Sequence, residues 1–245
     1  TYSAYPMVKQ ARQLVREGKL GNIRKIMVEY PQGWLSTLIE TESPLAAWRT
    51  DPERGGLSSC MGDIGTHAAH LAEYISGLKI TRVCADLRTF VAGRRLEDDG
   101  NVLLGFENNA TGVLSASQVA AGEENALKIR IYGEKAGLEW NQQDPNTLLL
   151  KWLNEPAQIF RAGQQYLSAL AQHNTRLPAG HPAGYIEAFA NIYRNFSATI
   201  LAKINGTSPS EAMLDFPTVA DGTRGMKFIE TVIASGQSSQ KWTAF

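Results

Sequence analysis

The sequence predicts an α+β domain: one large, predominantly antiparallel β-sheet with helices packed on one face. Between about residues 80 and 160, apolar and polar residues alternate in successive short runs separated by turn signals. Consecutive strands with short turns pair antiparallel, because parallel pairs need long crossovers. Before and after that region, apolar residues recur at helical spacing instead. No internal repeat, low-complexity tract or linker divides the chain, so residues 1–245 read as one domain.

Residues 6–16 predict a helix that follows Tyr5-Pro6 and stops at Gly18. Residues 23–30 alternate, with Ile26, Val28 and Tyr30 on one face and Lys25, Met27 and Glu29 on the other, as in a half-buried strand. Residues 36–61 read as a long loop, and a loop of that length in a compact domain is usually functional. A helix then starts at Asp63 and ends near Gly77, with Ile64, Ala68, Leu71 and Ile75 as its apolar face. The strand run follows through Val83–Val91, Val102–Phe106, Val113–Val119, Leu127–Ile131, Leu138–Trp140, Leu148–Trp152 and Ile159–Phe160, as an antiparallel meander. Asn108-Asn109 and Gly133–Gly137 mark two of its turns. Pro182 suits a first helical position, and Tyr185, Phe189, Ile192, Tyr193, Phe196 and Ile200 trace an apolar stripe toward Lys203. A final helix covers about residues 217–234.

Composition excludes several partners. Lys+Arg and Asp+Glu balance at 24 each without a long run of either sign, which argues against nucleic acid or an anionic membrane. No apolar run approaches the roughly 20 residues of a membrane span. Cys60 and Cys84 are too few for a disulfide framework, so a reduced, cytoplasmic setting is the expectation. Cys60 reads as a small buried thiol, since a nucleophile would need an activating base.

The most informative segment is Gly62-Asp63-Ile64-Gly65-Thr66-His67. Asp63, His67, His70 and Tyr74 share a polar helical face, and an Asp one turn before a His can orient the ring for proton transfer. The plain alternative is an Asp that merely offsets the helix dipole. Gly62 and Gly65 leave little side-chain cover, so a ligand can come close. A metal site of Asp63, His67 and His70 is a rival, although i to i+7 spans about 10 Å on a straight helix, too far for one ion. Trp34 can stack on a sugar ring or fill the core. Arg49 can grip a hydroxyl or phosphate, or pair with Asp51 or Glu53 on the surface. His181 stands just before a helix, and Tyr185 is one turn in, against a ligand or in the core.

Several segments in order resemble one family. They are Tyr5-Pro6-Met7-Val8 leading to Glu17-Gly18-Lys19-Leu20-Gly21, Ile23-Arg24-Lys25-Ile26, Trp48-Arg49 before Gly55-Gly56, and Gly62-Asp63 with Gly65 and His67. Gly133-Glu134-Lys135-Ala136-Gly137-Leu138, Gly180-His181-Pro182 with Gly184-Tyr185, and Ala188-Phe189-Ala190-Asn191 continue the pattern. Together they resemble the C-terminal, substrate-binding half of the glucose–fructose oxidoreductase / inositol dehydrogenase (Gfo/Idh/MocA) family.

The resemblance implies an NAD- or NADP-dependent oxidoreductase acting on a sugar, cyclic polyol or derivative, and a homo-oligomer formed through the sheet face. It assigns His67 to proton transfer or to orienting the reacting hydroxyl, Asp63 to a substrate hydroxyl or the imidazole, and a substrate-binding role to Trp34, Arg49, His181 and Tyr185. The chain has no Gly-x-Gly-x-x-Gly and no Glu-Lys-Pro lysine, so residues 1–245 are expected to be a substrate-binding and oligomerisation domain. Its dinucleotide-binding domain is expected before Thr1. His70 and Ala183 depart from residues common in relatives, which leaves the substrate open. A non-catalytic binding or assembly module remains the third reading.

Overall fold

A computed structural model describes residues 1–245. The helices are α1 (Pro6–Arg16), α2 (Pro44–Arg49), α3 (Pro52–Gly55), α4 (Thr66–Ser76), α5 (Ala169–His173), α6 (Tyr185–Ile204), α7 (Glu211–Leu214) and α8 (Val219–Gln237). The strands are β1 (Ile23–Pro31), β2 (Ile80–Arg88), β3 (Asp99–Phe106), β4 (Thr111–Ser117), β5 (Lys128–Gly133), β6 (Ala136–Asn141), β7 (Thr147–Trp152), β8 (Gln158–Arg161) and β9 (Thr243–Ala244). All nine form one sheet in the order β8-β7-β6-β5-β1-β4-β3-β2-β9.

The α+β class and the predominantly antiparallel sheet agree with the sequence, but the simple meander does not. β1 lies between β4 and β5, parallel to β4 and antiparallel to β5. Residues 118–127 carry the chain from the end of β4 to the far side of β1, so the sheet is two antiparallel blocks joined at one parallel pair. Both β1 and β4 therefore deliver their C-terminal ends to the same edge.

Burial follows the alternation. Ile26, Val28 and Tyr30 of β1, Ile129 and Ile131 of β5, and Leu148 and Leu150 of β7 are buried. They meet Met7, Val8 and Ala11 of α1 and Ile64, Ala68, Leu71 and Ile75 of the α4 region in one cluster of 41 buried residues. Each side chain of that size contributes roughly 1.5–3 kcal/mol when fully buried, so this packing fixes α1 and α4 on the sheet. The opposite face is mixed: Glu29 pairs with Arg130 at 3.1 Å, and Glu139 takes Lys128 at 2.9 Å and Lys151 at 2.8 Å.

Two helical segments differ from the sequence reading. The long loop contains α2 and α3, each opened by a proline behind a capping side chain, Ser43 and Asp51. The helix α6 starts at Tyr185 rather than Pro182, because Glu187 reaches back to accept from the Gly184 N–H at 2.8 Å and fixes the start there. The apolar stripe of α6 also faces outward: Tyr193 is 64% and Phe196 48% exposed. Its inner face carries Ala188, Asn191, Asn195 and Thr199. The amide of Asn191 donates to Asn174 O at 2.6 Å and Ala4 O at 3.2 Å, so hydrogen bonds anchor this helix where an apolar face was expected.

Candidate functional site

The segment Met61–Gly65 is a turn of π-helix running into α4. Such single wide turns recur at functional sites, because they change where neighbouring side chains point. In a regular α-helix Asp63 and His67 would lie one above the other; here no hydrogen bond joins them. Arg49 at the end of α2 reaches one Asp63 oxygen at 2.6 Å, and Gln118 Nε2 donates to the other at 2.9 Å. Burial raises the Asp63 pKa, and Arg49 and Gln118 oppose that rise. Arg49 therefore belongs to the site and not to a surface pair with Asp51 or Glu53; Asp51 pairs with Arg95 at 2.5 Å.

Gly65 is buried, and a Cβ there would lie 2.6 Å from Met61 Cε, so this glycine serves the packing of the π turn rather than ligand access. Gly62 is less crowded: a Cβ there would meet Ser58 at 3.4 Å and Ile229 at 3.9 Å, ordinary contact distances. It lines a cavity of about 360 Å³ between α4 and α8, with His67, His70, Asp221, Arg224 and Phe245.

His67 is half-buried in the first turn of α4, with its ring edge-to-face against Tyr2 at 5.3 Å between centroids. Burial first, then the charges of His70 and Arg49, push its pKa down. The ring is neutral near pH 7 and keeps a nitrogen lone pair to accept from a hydroxyl. Burial, as its largest cause, also lowers the His70 pKa.

Behind His67 runs a polar chain that has no local sign in the sequence. The hydroxyls of Tyr2 and Tyr30 share a hydrogen bond, and Tyr30 donates to Asn125 Oδ1 at 2.7 Å. Gln32 donates to the same oxygen at 2.7 Å and accepts from Trp34 Nε1 at 3.0 Å. Trp34 is thus half-buried and oriented by its indole N–H, with part of its ring free. The parallel pair explains why these groups meet. Gln32 and Trp34 follow β1, Gln118 follows β4, and the Gln32 N–H donates to Ser117 O at 2.7 Å across the two ends.

The other expected site residues lie further out. Tyr185 is 51% exposed, not core-packed, and its ring packs on Phe189 at 5.3 Å. His181 is exposed in the loop ahead of α6, its backbone N–H bonded to Pro178 O at 3.2 Å. Asp63 faces Arg49 and Gln118 rather than His70, and no three His, Cys, Asp or Glu side chains converge as metal ligands, so the Asp63/His67/His70 metal reading has no geometric support. Cys60 is fully buried, and burial pushes its thiol pKa well up, as an inert core thiol requires. No helix is long and apolar enough to cross a membrane.

Comparison with known proteins identifies the family and the fold. The C-terminal domain model of the GFO/IDH/MocA family matches residues 8–139. Over its whole length the chain is 34% identical to an uncharacterized oxidoreductase, YfiI, of Bacillus subtilis, and covers 63% of that protein. An inositol dehydrogenase homolog from Azotobacter vinelandii, solved with NAD+, superimposes on the whole chain with a TM-score of 0.93 at 31% identity, over 63% of its own length. The same homolog, solved with NADH and myo-inositol, gives a TM-score of 0.88 at 30% identity, again over the whole chain and 62% of its own length. The chain spans less than two thirds of the length of these relatives. It belongs to the GFO/IDH/MocA oxidoreductase family and carries that family's C-terminal domain.

Proposed function

We propose that this chain is the substrate-binding half of an NAD(P)-dependent dehydrogenase that oxidises a hydroxyl of a sugar, cyclic polyol or derivative. The observation that carries the reading is a neutral His67 four residues after a clamped Asp63, with Asp63 held at the paired ends of β1 and β4. The myo-inositol bound by the Azotobacter homolog supports a polyol as the substrate class.

The residues of this chain do not themselves fit a dinucleotide. It has no glycine-rich turn between a strand and a helix to cradle a pyrophosphate, and the cofactor belongs to a nucleotide-binding domain outside these residues. A nicotinamide, when bound, supplies hydride acceptance. The work of this chain is on the alcohol. Asp63 accepts from one substrate hydroxyl and orients the carbon. His67 accepts the proton that leaves the reacting hydroxyl. Trp34 offers a ring face to the C–H side of the substrate, and Tyr185 and His181 supply the outer wall of the site.

Two expectations test the reading. The 245 residues alone bind NAD(P) weakly and turn over nothing, whereas the intact polypeptide reduces NAD(P) with a polyol such as myo-inositol. Micromolar binding of NAD(P) to the isolated chain by calorimetry contradicts the division of labour. An intact polypeptide that binds polyols without oxidising them is a binding module instead. The second expectation is a homo-oligomer through the uncovered sheet face, where Met27, Leu103 and Leu149 lie among the ion pairs and leave a broad surface to cover. A strictly monomeric mass by light scattering, at tens of micromolar intact polypeptide, rules this out.

A further inference from the structure

Gln118 is fully buried, directly after β4, and its side chain is an oddity. Its Nε2 donates to Asp63 Oδ2 at 2.9 Å, while its Oε1 is buried with no hydrogen-bond partner. An unpaired buried amide oxygen is a net cost to the fold, and an apolar side chain of the same size would avoid it. The amide is held this way round because the opposite orientation would set its oxygen against a carboxylate. Arg49 repeats the pattern: it gives a terminal nitrogen to Asp63 Oδ1 at 2.6 Å, its Nε is buried without a partner, and its guanidinium lies over the Trp48 ring. Two side chains thus leave polar atoms unsatisfied in order to hold one carboxylate.

We infer that Gln118 is a positioning residue for the proposed oxidation: with Arg49 it clamps the two oxygens of Asp63, one each, and so aims the remaining lone pairs at a substrate hydroxyl. A carboxylate has about four acceptor directions. The clamp uses two on opposite oxygens, which fixes the plane of the group and leaves two. Asp63 keeps 19% of its side chain exposed, enough for one hydroxyl to reach it. This role rests on the dehydrogenase reading and adds a residue just beyond β4 to the Asp63 clamp, whose other members come from α2 and the π turn.

The groups around Asp63 are few, so its ionisation reports on the clamp. Arg49 is the one cation paired with it, and Gln118 donates to it from just beyond β4. Tyr2 near the N-terminus, Tyr30 on β1 and Cys60 ahead of the π turn sense its charge, and each is neutral near pH 7, with burial raising its pKa further. His67 on α4 is neutral as well.

The test uses the intact polypeptide with Gln118→Met and Gln118→Glu. Gln118→Met removes the donor and the orphan oxygen together. It is expected to keep or raise Tm while lowering kcat/KM for the polyol about 10-fold, mostly through KM. Gln118→Glu sets a second carboxylate against Asp63, and two carboxylates at that distance cannot both ionise easily. The titration of the Asp63 carboxyl carbon, followed by NMR, should move to higher pH, and the acid limb of kcat/KM should move with it. A wild-type kcat/KM in Gln118→Met together with a lowered Tm would make the residue merely structural and overturn the inference. An unmoved Asp63 titration in Gln118→Glu overturns it too. The titration needs no turnover: a shifted titration in a polypeptide that oxidises no polyol supports the clamp and sinks the dehydrogenase reading alone.

Discussion

His67→Ala in the intact polypeptide is expected to lower kcat about 10²- to 10⁴-fold, the range for a lost proton acceptor. The fold should survive. α4 and its entry turn are held by Ile64, Ala68, Leu71 and Ile75, all buried, and none of them depends on the imidazole. What the alanine forfeits is the edge-to-face packing of the ring on Tyr2, worth ~0.5–1.5 kcal/mol. The pH profile carries a second signature. Burial, foremost, holds the His67 pKa down, so the acid limb that belongs to this residue lies below the ordinary 6.5. Stability follows the same sign. The unfolded chain binds this proton more readily than the folded one, so the fold loses stability as pH falls below about 6.5. That slope should shrink in His67→Ala, leaving the share that the lowered pKa of His70 contributes. If the variant folds normally and retains full activity, His67 has no part in the chemistry.

Arg94→Leu is expected to cost ~3–5 kcal/mol, the usual penalty for breaking a buried ion pair from one side. The side chains of Arg94 and Asp98 are both fully buried and meet at 3.0 Å. Arg94 also donates to Glu40 at 2.7 Å, Leu35 O at 2.9 Å and Thr37 O at 3.2 Å. Asp98 accepts from the Phe90 and Val91 N–H groups at 2.8 and 3.1 Å. One guanidinium thus ties the stretch after Trp34 to the loop between β2 and β3. At ~2–4 °C per kcal/mol for a chain of this size, Tm should fall by roughly 6–20 °C. Trp34 should also lose its fixed setting, raising KM. Urea unfolding within ~1 kcal/mol of wild type would show that Arg94 is not the tie described.

Much of this architecture is legible in the sequence because its signals are local. α1 is marked by Pro6 and Gly18, β1 by strict alternation, and the strand run by its turns. Pairing partners are not local, so the parallel β1–β4 pairing has no sign in either strand. The stripe on α6 has the right period but the wrong direction, since periodicity gives a face and not what covers it; Asn191 and Asn195, which hold the inner side, look like surface residues by type alone. In the site, Asp63, His67, Arg49 and Trp34 stand out by residue type and motif. Their actual partners do not. The π turn breaks the i, i+4 stacking that spacing suggested, and Gln118, Tyr2, Tyr30 and Asn125 come together only through the folded sheet.

The parallel pair in the middle of the sheet also bears on how such a protein changes. The Ile26↔Gly112 to Pro31↔Ser117 register can stay untouched while the residues just beyond each strand are exchanged. Residues 32–35 and residues 118–120 are far apart in sequence yet emerge side by side, tied by Leu35 N–H to Gln118 O at 3.0 Å and Ala120 N–H to Gln32 O at 3.0 Å, so Gly33 and Gln118 stay fixed while Trp34 and Val119 are free to vary. A substrate preference built there is modular: new side chains are auditioned at two adjacent strand ends, on a scaffold whose strand pairing does not have to be renegotiated each time.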